Sequence, residues 1–176
     1  DNLPWISPVL SLIRQAVAAD IPVLGHCLGG QLLSTALGGS VTNNPVKEIG
    51  WGQVHVADTP VARDWFGDDL ASFNAFHWHG ETFSLPANAV RLLSSAHCPN
   101  QAFASGIHLS MQCHVEMTVE MIQAWCEANA EELLRNRGNC TVSSSAEMQT
   151  NLEKRITALH QIADRLYKKW IMALKG

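Results

Sequence analysis

A chain of 176 residues, 47% hydrophobic and 16% charged, is long enough to bury a core and excludes an intrinsically disordered segment. A net charge of −4 provides no basic footprint for nucleic acid, the apolar runs fall short of a membrane span, and no signal-peptide pattern opens the chain. Five cysteines, an odd number at irregular spacing, do not read as a disulfide framework, and together these features point to a cytoplasmic protein.

The chain opens at Asp1-Asn2-Leu3-Pro4-Trp5 without an initiator methionine, the pattern of a processed terminus or an excised domain. A helix is expected over 4–19, with Ile6, Val9, Leu10, Ile13 and Val17 on one face. Asp20 precedes a short apolar strand over 21–24, and a Leu/Ala helix over 28–37 stops at Gly38-Gly39. Strand, tight turn and helix make half of a βαβ unit, which implies a parallel sheet with helices on its faces. Further strands are expected over 46–57, 73–78, 90–96, 101–104 and 107–112, separated by Gly, Pro, Asn and Asp. A helix follows over 118–130. After a loop holding Gly138 and Asn139, a long helix is expected from about 146 to 174. Ser144 and Glu147 have the spacing of a capping box for that helix, and Leu152, Ile156, Leu159, Ala163, Leu166 and Trp170 form its apolar stripe, either core or a dimer seam. Asn139-Cys140-Thr141 fits a glycosylation sequon and, without a secretory signal, is read as chance. With no repeat and no second-domain boundary, residues 1–176 read as a single α/β domain.

Two short segments carry the chemistry. Gly25-His26-Cys27-Leu28-Gly29-Gly30-Gln31 places a cysteine on the turn between strand and helix, the arrangement of a nucleophile elbow. Gly25 and Gly29 suit a cramped turn, and Cys27 sits at a helix N-terminus, where N–H groups and the dipole favour an anionic sulfur. In Met111-Gln112-Cys113-His114-Val115-Glu116, a strand ends in a histidine with a glutamate two residues on. In extended backbone those two side chains share a face. Glu116 can then hold one nitrogen of His114 while the other faces Cys27, giving an oriented base for the thiol and an acid for a leaving amine. Cys113 should point away from His114 as a buried structural thiol. His77 and His79 alternate on a strand, and Cys98 or Cys113 could complete a metal set with them, but no CxxC or HExxH spacing supports a metal there.

On these segments the chain resembles the class I glutamine amidotransferases. Gly25-x-Cys27-x-Gly29-x-Gln31 matches the nucleophile signature, and His114-x-Glu116 matches the completion of the triad. Ile49-Gly50-Trp51-Gly52 resembles the segment lining the glutamine pocket. Residues 78–83 and 98–103 resemble other stretches of stand-alone members, including those related to the GMP synthase glutaminase domain. The resemblance implies a flavodoxin-like, open and mostly parallel sheet with flanking helices, and no metal or cofactor. Cys27, His114 and Glu116 would be catalytic, and the Leu28 N–H an oxyanion donor. Gln31, Gly50, Trp51, Gly52 and His79 would line the substrate site, with plain core packing as the lesser reading of Trp51. The family's earliest strands, and a glycine-rich loop carrying a second oxyanion donor, would precede Asp1, so the natural protein is expected to be longer. Where the family often has proline between histidine and glutamate, this chain has Val115.

The expected reaction is hydrolysis of the glutamine side-chain amide through a cysteine γ-glutamyl thioester, releasing ammonia. The sequence holds no ATP-binding or synthetase motif, so an ammonia acceptor would belong to a separate partner. The alternatives are a γ-glutamyl peptide or amine hydrolase with the same triad, and a non-catalytic regulatory or scaffold subunit.

Overall fold

A computed structural model describes residues 3–174. Helix α1 (Ile6–Ala18) leads through Asp20, at φ 53°, into β1 (Leu24–His26), which turns at Cys27 into α2 (Leu28–Ala36). The long strand β2 (Val41–Val56), the short helix α3 (Pro60–Phe66) and β3 (Ser72–Phe83) follow. Next come β4 (Val90–Ser95), β5 (Ala102–Ser105) and β6 (His108–Met111). Helices α4 (Val119–Ala128), α5 (Ala130–Arg135), α6 (Ser145–Gln149) and α7 (Leu152–Ala173) complete the described chain. No helix among the described residues is long and apolar enough to cross a membrane.

The α/β architecture with flanking helices is as expected. The strands run in the order β1-β6-β5-β4-β2-β3, but only β1 and β6 pair in parallel; the other pairings are antiparallel. The sheet is therefore mixed rather than mostly parallel. Connection length explains the difference: Gly106-Ile107 alone joins β5 to β6, and so short a link can only reverse the chain. In β2 the register against β3 shifts between Asn43 and Glu48, where Pro45 lacks an N–H for the ladder.

Apolar side chains divide between the two faces of the sheet. The larger cluster includes Val54, Phe76, Leu93, Leu109 and Met111 and receives Ile122 of α4, Met148 of α6 and the stripe of α7. Each such side chain contributes roughly 1.5–3 kcal/mol on transfer from water. On the other face Leu33, Phe83 and Phe103 pack with Ile13 and Val17 of α1. The α7 stripe is core: Leu152, Ile156, Leu159, Ala163 and Leu166 are buried within this chain, and Trp170 is partly so.

Several boundaries differ from the sequence expectation. The helix expected from 146 to 174 is divided between α6 and α7, because Thr150 is extended and Asn151 is left-handed at φ 54°, a conformation asparagine tolerates. The helix expected over 118–130 breaks at Asn129. Helix α3 was not expected, although Thr59 accepts from the Ala62 N–H and Pro60 follows it, a start signal present in the sequence. Strand β1 lies later than 21–24 and takes in His26, while Ile21 is exposed.

The capping box is present: Ser144 Oγ accepts from the Glu147 N–H, and Glu147 Oε2 accepts from the Ser144 N–H. Ser144→Ala is expected to lower stability in urea denaturation by about 1 kcal/mol. Met172→Ala, at a side chain 73% exposed, should stay within about 0.5 kcal/mol of the parent.

Candidate active site

Parallel pairing sets Gly25 beside Ser110 and His26 beside Met111, so the turn after β1 and the segment after β6 emerge together. Cys27 occupies that turn at φ 49° and ψ −111°, a conformation L-residues rarely adopt. Its N–H donates to the Met111 carbonyl at 2.8 Å, and its carbonyl accepts from the Gln31 N–H at 3.0 Å. Close approach demands two glycines here. A Cβ at Gly25 would lie 2.3 Å from the Gly29 carbonyl carbon, and one at Gly30 would lie 2.5 Å from the Met111 oxygen. Gly29 has open space beside it, so its part in the turn is the backbone that Gly25 abuts.

His114 lies in extended backbone, held by reciprocal bonds with Phe76. Its Nδ1 meets Glu116 Oε1 at 2.5 Å. Nε2 is buried without a hydrogen-bond partner and is the nitrogen left to meet the Cys27 thiol. Burial disfavours the charged imidazole, but the nearby Cys27 sulfur, the hydrogen bond to Glu116 and the charge of Glu116 outweigh it, raising the pKa to about 9. Burial likewise works against the Glu116 carboxylate, and the bond and charge of His114 bring its pKa below the ordinary value. The Val115 N–H also donates to Glu116 Oε2, at 2.9 Å. Proline at this position could not make that bond.

The remaining expected site residues fall into two groups. Gln31 is buried beside the turn, and its Nε2 donates to Gln112 Oε1 at 3.2 Å. Leu28 begins α2 directly after Cys27 and leaves its side chain 49% exposed. Gly50, Trp51 and Gly52 instead line a cavity of about 250 Å³ that none of Cys27, His114 and Glu116 lines. Trp51 stacks edge-on against Phe76 and donates from Nε1 to the Met148 carbonyl. His79 is buried, with Nδ1 on the Glu81 carbonyl and Nε2 3.1 Å from Glu48.

Glu48, His77 and His79 offer donor atoms within 4.8 Å of one another, a set that sequence spacing did not show because Glu48 comes from β2. The Glu48 oxygens already accept from Ser95 Oγ and Gln101 Nε2, so the cluster is a hydrogen-bonded core network. Burial pulls His77 down to about 4, keeping it neutral. Cys98 pairs with Thr82 and Cys113 with the Gln101 carbonyl, and both are buried, with thiols pushed above their ordinary range by desolvation. The five cysteines are all free.

Other side chains at the site had weaker signals in the sequence or none. Gln112 Nε2 donates toward Cys27 Sγ at 3.7 Å, and the thiol lies 4.0 Å from the Trp78 carbonyl. Trp125 of α4 meets the His114 ring edge-to-face at 5.1 Å. Gln112 and Trp78 lie inside segments singled out by sequence; Trp125 sat in an ordinary amphipathic helix.

Comparison with known proteins identifies the family. Residues 5–163 match the family described as glutamine amidotransferase class-I. The glutamine amidotransferase-like protein YfeJ of Salmonella typhimurium is 32% identical over 157 residues, covering 88% of this chain and 66% of that protein. The glutamine-hydrolysing GMP synthase of Bacillus pumilus is 36% identical over 86 residues, which is 48% of this chain and 16% of that one. Among solved structures, a glutamine amidotransferase from Methylobacillus flagellatus superposes with a TM-score of 0.94 at 42% identity, over 99% of this chain and 72% of that one. One from Thermotoga maritima superposes at 0.84 with 28% identity, over 96% and 70%. By the extent of the family match, the chain belongs to the class I glutamine amidotransferases.

Proposed function

We propose that the site hydrolyses the side-chain amide of glutamine to glutamate and ammonia. The observation that carries this reading is the His114 imidazole, held by Glu116 on one nitrogen and buried without a partner at the other, beside Cys27 on a strained turn. In the forward step His114 already carries on Nε2 the proton drawn from the Cys27 thiol, and the sulfur anion attacks the amide carbon. The resulting oxyanion accepts from the Leu28 N–H, the residue after an elbow nucleophile. His114 returns its proton to the amide nitrogen, the C–N bond breaks, and ammonia leaves behind a γ-glutamyl thioester. His114 then activates water, which cleaves the thioester to glutamate and restores the thiol.

Gln31 contacts the substrate from the first turn of α2, with Gln112 fixing its amide. The ammonia passes to an acceptor on a separate partner, a reading supported by relatives named GMP synthase.

Cys27→Ala is expected to abolish both glutaminase activity, by about 10⁴-fold, and covalent labelling by a glutamine-analogue diazoketone followed by mass spectrometry. Turnover of γ-glutamyl conjugates without glutamine would move the reading to a γ-glutamyl hydrolase. No labelling of the parent would favour a scaffold.

The charged His114 also links folding to pH. Its pKa rises from 6.5 to about 9 on folding, so its stabilising contribution is complete below 6.5 and is lost as pH climbs through about 9. Denaturation at fixed pH values should show stability falling across that window in the parent. Glu116→Gln should flatten the fall.

A further inference from the structure

Glu116 has a second neighbour that the triad does not use. We propose that His26 and Tyr167 are positioning residues for the reacting histidine, holding the Glu116 carboxylate from the side away from His114 so that it keeps Nδ1 of that ring in place. The proposal rests on the reading of Cys27, His114 and Glu116 as the reacting group.

The chain of contacts is short. Tyr167 Oη of α7 lies 3.0 Å from His26 Nε2, and the two rings meet edge-on at 6.0 Å. His26 Nδ1 lies 3.3 Å from Glu116 Oε2, a contact not aligned as a hydrogen bond, and it has no hydrogen-bond partner. Glu116 Oε1 is then taken by His114. Each carboxylate oxygen therefore faces one imidazole, and the Val115 N–H adds a donor on the His26 side.

Protonation gives these contacts one direction. Burial, reinforced by the charge of Glu116, pushes the Tyr167 hydroxyl above its ordinary range, so it keeps its proton and donates. His26 Nε2 must accept that bond, which leaves the ring proton on Nδ1, facing the carboxylate. Burial pulls His26 below its ordinary value, and cationic His114 adds to this, while Glu116 and the Cys113 carbonyl act in the other direction. A neutral His26 is the form that can accept from Tyr167 and present an N–H to Glu116 at once. The side chain of His26 is only 14% exposed, and an aliphatic residue would fill the space without aligning either nitrogen. His26 also adjoins Cys27, so the same ring ties the nucleophile's strand to the carboxylate and to the C-terminal helix.

The test is the pH dependence of Cys27 alkylation by iodoacetate, on the full chain and without substrate. The anionic reagent is drawn by the charged His114, so the profile should carry a basic limb that reports His114, expected near 9 in the parent. His26→Phe should move that limb down by about one unit and Tyr167→Phe by about half a unit, as loss of a modest hydrogen bond implies. His26→Asn, which can still donate to Glu116, should restore most of the shift. In the His26→Phe background, Tyr167→Phe should add nothing further, because its effect passes through His26. Glutamine turnover by His26→Phe should fall about tenfold in kcat with KM little changed. A parental limb in His26→Phe, or additive effects of the two substitutions, would overturn the proposal, and Tyr167→Phe keeps the test open should His26→Phe not fold. The expected limb shifts in a protein that turns over no glutamine would sink the proposed function and leave the positioning role standing.

Discussion

The Cys27 N–H bond to the Met111 carbonyl joins the turn after β1 to the end of β6, and the geometry of the site follows from that junction. It anchors a residue whose backbone is otherwise unfavourable, at φ 49°. It also determines where the chain leaves β6, and therefore where His114 and Glu116 stand. Gly30 is part of the same constraint, because a side chain there would collide with the Met111 oxygen. Cys27 and His114 are 87 positions apart in number, but only a parallel strand pair separates their segments in space.

Around that junction the protein spends little of its charge. Glu116, His114 and His26 form the charged and polar centre, while Val115 and Cys113 on either side of His114 are fully buried in the apolar core. A carboxylate in such surroundings is costly unless each oxygen is answered. Here the His114 imidazole answers one oxygen and the Val115 N–H the other, with His26 standing close to the second. The substitution of valine for the family's frequent proline thus adds a donor where a proline would leave none.

Local features of this site were legible in the sequence, and features made by distant packing were not. The Cys27 turn could be read because glycines, an apolar run and a helical pattern lie within a few residues of one another. His114 and Glu116 could be paired because extended backbone repeats every two residues. The mixed sheet was harder, since strand partners are non-local, although the link at Gly106-Ile107 already forbade a parallel neighbour. Trp51 lies in a matching motif yet packs on Phe76, because which face of β2 meets the site depends on the whole sheet. Tyr167 and Trp125 were illegible: each occupies a helix whose periodicity describes burial and says nothing of what the buried edge touches. Asn151 could have signalled the break before α7, but one residue with tolerance for left-handed backbone is a weak cue.

Leu28 stands at the mouth of the turn with half of its apolar side chain in water. In the proposed reaction it works through its amide alone. Its side chain therefore answers to no chemical demand, and nineteen of the genetic code's twenty choices supply the same N–H. Only proline is forbidden by the chemistry. Position 28 is thus a place where the surface beside a reacting cysteine can drift in shape and polarity while the reaction itself is left untouched.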